Sequence, residues 1–149
     1  RCIWQSYFRQ WNQWCGFGAY LNLREQVTPC VPIFFQRSGC QVTTTGLFSI
    51  ASPIYYALVR AVGCDIAHIG MSHGSYHDPT EELHQRIAAL SPAWPSFSCG
   101  LTTEHVKPLM KQFGHDIMLT SGSFLHSGSD GPRKRARQLR ELIDETLSS

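Results

Sequence analysis

The sequence predicts an α/β fold with parallel strands. Three observations carry that expectation. Short apolar runs alternate with helical patterns from about residue 17 onward, helix start and stop residues punctuate that alternation, and each apolar run gives way to small or polar residues. Strands separated by helices are parallel and joined by right-handed crossovers. The 149 residues suit one ordinary domain and are too few for a complete eight-stranded α/β barrel, which takes about 250.

Residues 1–16, RCIWQSYFRQWNQWCG, hold three of the four tryptophans without a clear period and fall outside this rhythm. Residues 1–18 therefore carry no assignment, and residues 19–149 form the α/β unit. AYLNLREQV (Ala19 to Val27) reads as the end of a helix, and VPIFFQ (Val31 to Gln36) as a compact strand before the long loop RSGCQVTTTG. Ser52 to Gly63 is a helix, with Pro53 at its first position and Gly63 at its stop. Cys64 to Gly70 is the next strand. Asp78 to Leu90 is a helix with Asp78 as N-cap, Pro79 next and Glu81 and Glu82 in the first turn. Trp94 to Gly100 is a strand, and Thr102 to Gly114 is a helix that Pro108 either kinks or starts late. Asp116 to Thr120 is the last strand, and Gly131 to Leu147 the last helix. That helix carries Arg133, Lys134, Arg135, Arg137 and Arg140; Glu141 and Asp144 follow Arg137 and Arg140 at i+4, the spacing of surface pairs.

Composition excludes several classes. A hydrophobic fraction of 42% with 16% charged residues supports a packed core, and a net charge of +2 does not describe a dedicated nucleic-acid binder. No apolar run approaches the roughly 18 residues of a membrane span, and the first residues lack the basic-then-apolar order of a signal peptide. The six cysteines form no CxxC pair and no zinc spacing. Cys64 and Cys99 read as buried thiols, and a reducing, cytoplasmic setting is expected.

Ligands of parallel α/β folds sit at the carboxyl ends of the strands. There the sequence offers Gln36, Arg37, Ser38 and Gly39, then His68, Gly70, Ser72 and His73, then Ser98, Cys99 and Gly100, then Ser121, Gly122 and Ser123. Small residues, hydroxyls and a cation suit an anion, because glycines let backbone N–H groups approach phosphate oxygens. Each short turn alone also fits a tight turn without ligand; the agreement of four ends favours the anion. His73, His77 and His84 are spaced by four and seven, yet Gly74 and Pro79 break any helix through the first two, so no metal site is expected. Cys40 lacks the surroundings of a nucleophile.

The stretches PIFFQRSG, GCDIAHIGMS, WPSFSCGLTTEHVKPLMKQFGHDIML and SGSFLHSGSDGPRKRAR together resemble the C-terminal half of the RuBisCO large-chain superfamily. The likeness is above all to the RuBisCO-like proteins (form IV), which do not fix carbon dioxide. It covers about residues 19–145. It is most specific in a Ser-Gly-Gly-like turn, a helix with V-x-P-L, then FG-x-D-x-x-L and a loop ending in Asp-Gly. This resemblance implies four parallel βα units forming strands five to eight of a (β/α)8 TIM-type barrel; an open doubly wound parallel sheet is the alternative.

The same resemblance implies roles. Arg37 matches the arginine of a His-Arg pair that holds a substrate phosphate, and His68 a sixth-strand histidine facing that ligand, the one catalytic candidate. Ser98 and Gly100 match the Ser-Gly-Gly turn, and Gly122 with Ser123, beside Ser121, a glycine-rich phosphate loop. Departures are Gln36 for histidine, Cys99, Ser121 and Ser123 for glycines, and Gly128-Ser129 for His-Pro. GMSHGSYHDP has no lysine where carboxylases place one, so carboxylation is not expected. The implied chemistry is magnesium-dependent, of enolase, isomerase or hydrolase type, on a phosphorylated keto-sugar or sugar acid through an enolate. The family's metal-binding Lys-x-Asp-Glu is absent from these residues, whose only lysines are Lys107, Lys111 and Lys134. The implied partners are the phosphorylated substrate and an N-terminal half-barrel or a second copy, with neither nucleic acid nor membrane. A non-catalytic, self-associating α/β fragment is the competing reading.

Overall fold

The computed structural model describes residues 10–11, 16–26, 31–37, 39–74 and 77–148. In order these form β1 (Gln10–Trp11), α1 (Gly16–Gln26), β2 (Phe34–Phe35), α2 (Gln41–Thr44), α3 (Ser52–Ala61), β3 (Ile66–Gly70), α4 (Thr80–Leu90), β4 (Trp94–Phe97), α5 (Thr103–Phe113), β5 (Met118–Leu119), α6 (Gly122–His126) and α7 (Pro132–Ser148). The strands form one sheet in chain order, and the pairings β1–β2, β2–β3 and β4–β5 are parallel. The α/β architecture with parallel strands is therefore as expected, with β1 added from the tryptophan-rich segment. Two residues are too few to show a period. The rest of residues 1–15, and Ser38, lie outside the described residues.

Strands are shorter than the apolar runs that announce them. Pro32 has no N–H to give a ladder, and the Ile33 N–H goes instead to the Asp65 carboxylate at 2.7 Å. β4 ends at Phe97 because Cys99 and Gly100 turn the chain with φ of 81° and 84°. Two helices arise where loops were expected. In α2 the Thr43 and Thr44 hydroxyls both donate back to the Cys40 carbonyl at 2.9 Å, and α6 grows out of the Ser-Gly-Ser turn. A late start for α5 is excluded: it begins at Thr103, capped by Thr102, and runs through Pro108. The bond Pro108 cannot make would end on Glu104 in the exposed first turn, where water can serve the carbonyl.

The chain divides into two compact units. The first, Arg1–His68 with Gln85–Pro95, has an aromatic core. Tyr55, Tyr56 and Val59 occupy one face of α3 at i, i+1 and i+4 and are no more than 1% exposed, as are Tyr20, Ile33 and Phe35. Phe35 meets Tyr55 and Tyr56 with ring centroids 5.9 and 6.4 Å apart. Burying each such side chain stabilises by about 1.5–3 kcal/mol.

The second unit, Ile69–His84 with Ser96–Ser149, is mainly aliphatic. Val106, Leu109 and Met110 form the buried stripe of α5, joined by Ile69, Met71 and Leu101. Phe97 packs on Phe113 at 4.7 Å. α7 buries only Leu139 and packs on α5 and α6. The expected surface pairing appears in Arg140 with Asp144, and Lys134 pairs with Asp130 at 2.9 Å. Arg135 turns inward, donating to the Phe124 carbonyl at 2.7 Å and lying over the Phe124 ring at 4.8 Å.

Candidate functional site

In the first unit, Arg37 lies two residues beyond β2, half-buried, in a turn where its carbonyl accepts the Cys40 N–H at 3.1 Å. His68 is the central residue of β3 and only 4% exposed. Its ring meets Phe34 edge-on at 4.5 Å, and its carbonyl accepts the Tyr56 hydroxyl at 2.7 Å. Tyr56 is itself held in place, because Arg86 lies over its ring at 5.8 Å while donating to Ser52 at 2.7 Å. His68 is thus fixed by an aromatic neighbour and by its own backbone.

In the second unit the two small-residue turns are brought together. The Ser98 N–H reaches the Gly70 carbonyl at 3.3 Å, tying the end of β4 to the end of β3. The Thr120 N–H reaches the Phe97 carbonyl at 2.9 Å, and the Ser96 and Thr120 hydroxyls meet at 2.9 Å. Ser121 then donates its hydroxyl to the Leu101 carbonyl at 2.7 Å, stitching Ser121–Ser123 to the turn that contains Ser98 and Gly100. That bond commits the Ser121 hydrogen to the scaffold. Gly100, Gly122 and Ser123 are exposed, and a Cβ at either glycine would meet nothing within 4 Å. A cleft of about 250 Å³ opens beside Ser121, walled by Leu101, Leu119, Leu125 and Leu139, with Arg140 at its margin.

Cys99 departs from the buried thiol expected of it: it is exposed and left-handed, φ 81°, between Ser98 and Gly100. Cys64 is buried as expected. Among the described residues, no three His, Cys, Asp or Glu side chains are grouped to hold a metal ion. Two further features escaped the sequence reading. Arg135 grips the carboxyl end of α6, and His73 and His105 face each other at 6.0 Å. The Thr102-x-x-His105 spacing, that of a capping box with histidine in the usual glutamate place, is the signal that could have drawn attention to His105.

Parallel strands in chain order, crossover helices and small-residue turns at strand ends define an α/β chain of the barrel type. Its likeness in sequence and fold is to RuBisCO and the RuBisCO-like proteins. A ribulose bisphosphate carboxylase of Pyrococcus furiosus is 31% identical over 97 residues, which is 60% of this chain and 23% of the relative. Octameric RuBisCO from Pyrococcus horikoshii superposes with a TM-score of 0.78 at 26% identity, over 88% of this chain and 34% of that one. A RuBisCO-like protein from Alicyclobacillus acidocaldarius gives a TM-score of 0.82 at 22% identity, over 93% of this chain and 38% of that one. The likeness thus spans about a quarter of the curated relative and about a third of the solved chains. No family model matches.

Proposed function

We propose that residues 19–149 act as the C-terminal half of a RuBisCO-like barrel, supplying anion-gripping turns to an enzyme that works on a phosphorylated keto-sugar or sugar acid through an enolate. The observation that carries this reading is the Ser121–Leu101 bond, which gathers two glycine-containing turns at adjacent strand ends. Exposed backbone at Gly100 and Gly122 can approach phosphate oxygens, with Ser98 and Ser123 offering hydroxyls; Arg37, in the first unit, is by itself a candidate cation for a phosphate. His68 is the candidate for polar contact with the reacting part of the ligand. An enolate forms when a base removes a proton beside a carbonyl and positive groups stabilise the oxyanion.

The family's magnesium does not fit the residues described, since none of their His, Cys, Asp and Glu side chains cluster in threes. The metal's ligands and the base would be supplied from outside these residues. The lysine-free GMSHGSYHDP segment argues against carboxylation. Self-association, or docking on an N-terminal half-barrel, is supported by Leu47 and Phe48, 97% and 102% exposed. Solved relatives include octameric and dimeric RuBisCOs. Among the described residues no helix is long and apolar enough to cross a membrane, and a cytoplasmic setting is part of the proposal.

Isothermal titration with a sugar bisphosphate tests the reading. Arg37→Ala should weaken binding by about tenfold or more, the loss of one charge-assisted contact. Equal affinity in the variant removes Arg37 from the site. A chain that elutes as a homo-oligomer and binds no bisphosphate would instead be the non-catalytic fragment.

A further inference from the structure

Two histidines that the proposed function does not use meet in the second unit. His73 follows β3 by three residues, and His105 lies in the first turn of α5. Their ring centroids are 6.0 Å apart, with planes inclined by 36°, and both side chains are partly buried. His105 also completes the cap of α5: its Nδ1 accepts the Thr102 N–H at 3.1 Å, while its own N–H reaches the Thr102 side chain.

That cap fixes the polarity of the ring. An imidazole accepting at Nδ1 carries its hydrogen, when neutral, on Nε2. The Nε2 edge faces Gly74, where a Cβ would lie 3.8 Å from both Cε1 and Nε2. Gly74 is exposed and has no side chain to cover that edge. On the other ring, Ser72 Oγ lies 2.6 Å from His73 Nδ1. When that hydroxyl donates, the His73 hydrogen also sits on Nε2.

Paired histidines invite a metal, but a metal binds a bare ring nitrogen whose opposite nitrogen donates to a carbonyl or carboxylate. His105 has the reverse arrangement, with a backbone N–H pointing into its far nitrogen. An N–H donor at the start of α5, at the carboxyl end of parallel strands, suits a negatively charged oxygen.

We propose that His73 and His105 together hold an oxyanion, phosphate or carboxylate, with His105 donating from Nε2. The inference deepens the proposed function by adding a second anion-gripping element, and it rests on that reading only for the class of ligand.

Long-range proton–nitrogen correlation spectra of the full chain, at about pH 8 where free imidazole is neutral, test it with inorganic phosphate and with acetate as separate probes. His105 should show the Nε2–H form before any addition, and both rings should shift saturably. A response to phosphate alone identifies a phosphoryl group, and one to acetate alone a carboxylate. His105→Glu keeps a capping-box partner at this position but replaces the donor with a like charge. The His73 response should then weaken by about tenfold or more while the thermal midpoint is retained; His73→Ala should weaken the His105 response similarly. The pair is not an oxyanion site if neither anion moves the rings, if the His105 hydrogen sits on Nδ1, if zinc saturates the rings, or if both variants respond like wild type. Arg37→Ala separates the two claims. Bisphosphate affinity lost in that variant, with unresponsive wild-type histidines, sinks the pair alone; responsive histidines with Arg37-independent affinity sink the Arg37 assignment alone.

Discussion

Just before β3, Asp65 gives its carboxylate to Arg24 at 3.0 Å and to the Ile33 N–H at 2.7 Å, whereas Gly100, beyond β4, and Gly122 and Ser123, beyond β5, stand exposed. Beside Asp65 the Cys64 thiol donates to the Ile66 carbonyl at 2.9 Å and Tyr20 is wholly buried. A cleft of about 430 Å³ does open at this amino end, but Pro32, Pro92, Ala93 and Trp94 line much of it. Asp65, Arg24 and the Ile33 N–H thus satisfy one another, while Gly100, Gly122 and Ser123 stay exposed. In parallel α/β folds the first arrangement serves stability and the second serves ligands.

Removing Asp65 should have the largest effect. Asp65→Ala strips Arg24 of its partner and the Ile33 N–H of its acceptor, at a cost of about 2 kcal/mol, or roughly 4–8 °C in Tm. Thermal denaturation measures the loss, and anion binding by the surviving folded chain should be unchanged. A binding defect as large as the stability defect would show that the two ends are not separable in this way.

Cys99→Gly sharpens the opposite side. A non-glycine residue at φ 81° is strained, and glycine relieves that strain while adding freedom to the unfolded chain. A net gain of about 1 kcal/mol is expected, read as a higher denaturant midpoint; an unchanged or lower midpoint would mean that Cys99 makes compensating contacts.

The smallest expected effect is alkaline. Burial pushes the Cys64 thiol from its ordinary 9 up to about 11 and Tyr55 up to about 12, and raises Tyr20 further still, with Cys64 adding to the shift. Each group keeps its proton in the folded chain at pH values where the unfolded chain has lost it. Their contribution is therefore complete below pH 9 and declines as pH rises from 9 through about 12. Urea midpoints measured across that window should fall, and Cys64→Ala should flatten the portion between 9 and 11. An equally steep fall in that variant would assign the effect to the tyrosines.

α3 and α4 were legible because their signals are local. Pro53 opens α3, and Tyr55, Tyr56 and Val59 mark its buried face; Glu81 and Glu82 mark the start of α4. The existence of β2 to β5 was legible too, but not strand length, because the Ile33 N–H is taken by a side chain 32 residues away. α6 escaped notice because Ser-Gly-Ser composition signals a turn whether or not a helical turn follows. Arg135 read as one of five surface cations, since only the folded chain brings Phe124 beneath it. The candidate turns were visible as composition, but their joining through Ser121 and Leu101 was not, because a side chain that donates to a distant carbonyl leaves no periodicity.

Gly128, beside Arg135, shows that exposure alone does not leave a position free to vary. A Cβ at residue 128 would lie 2.3 Å from the Arg135 guanidinium, and the backbone there is left-handed, φ 77°. A side chain at 128 would push the end of the flexible guanidinium aside and would hold a left-handed backbone, so the backbone sets the larger part of the constraint. A loop that looks free to vary by its exposure is thus restrained at its glycine.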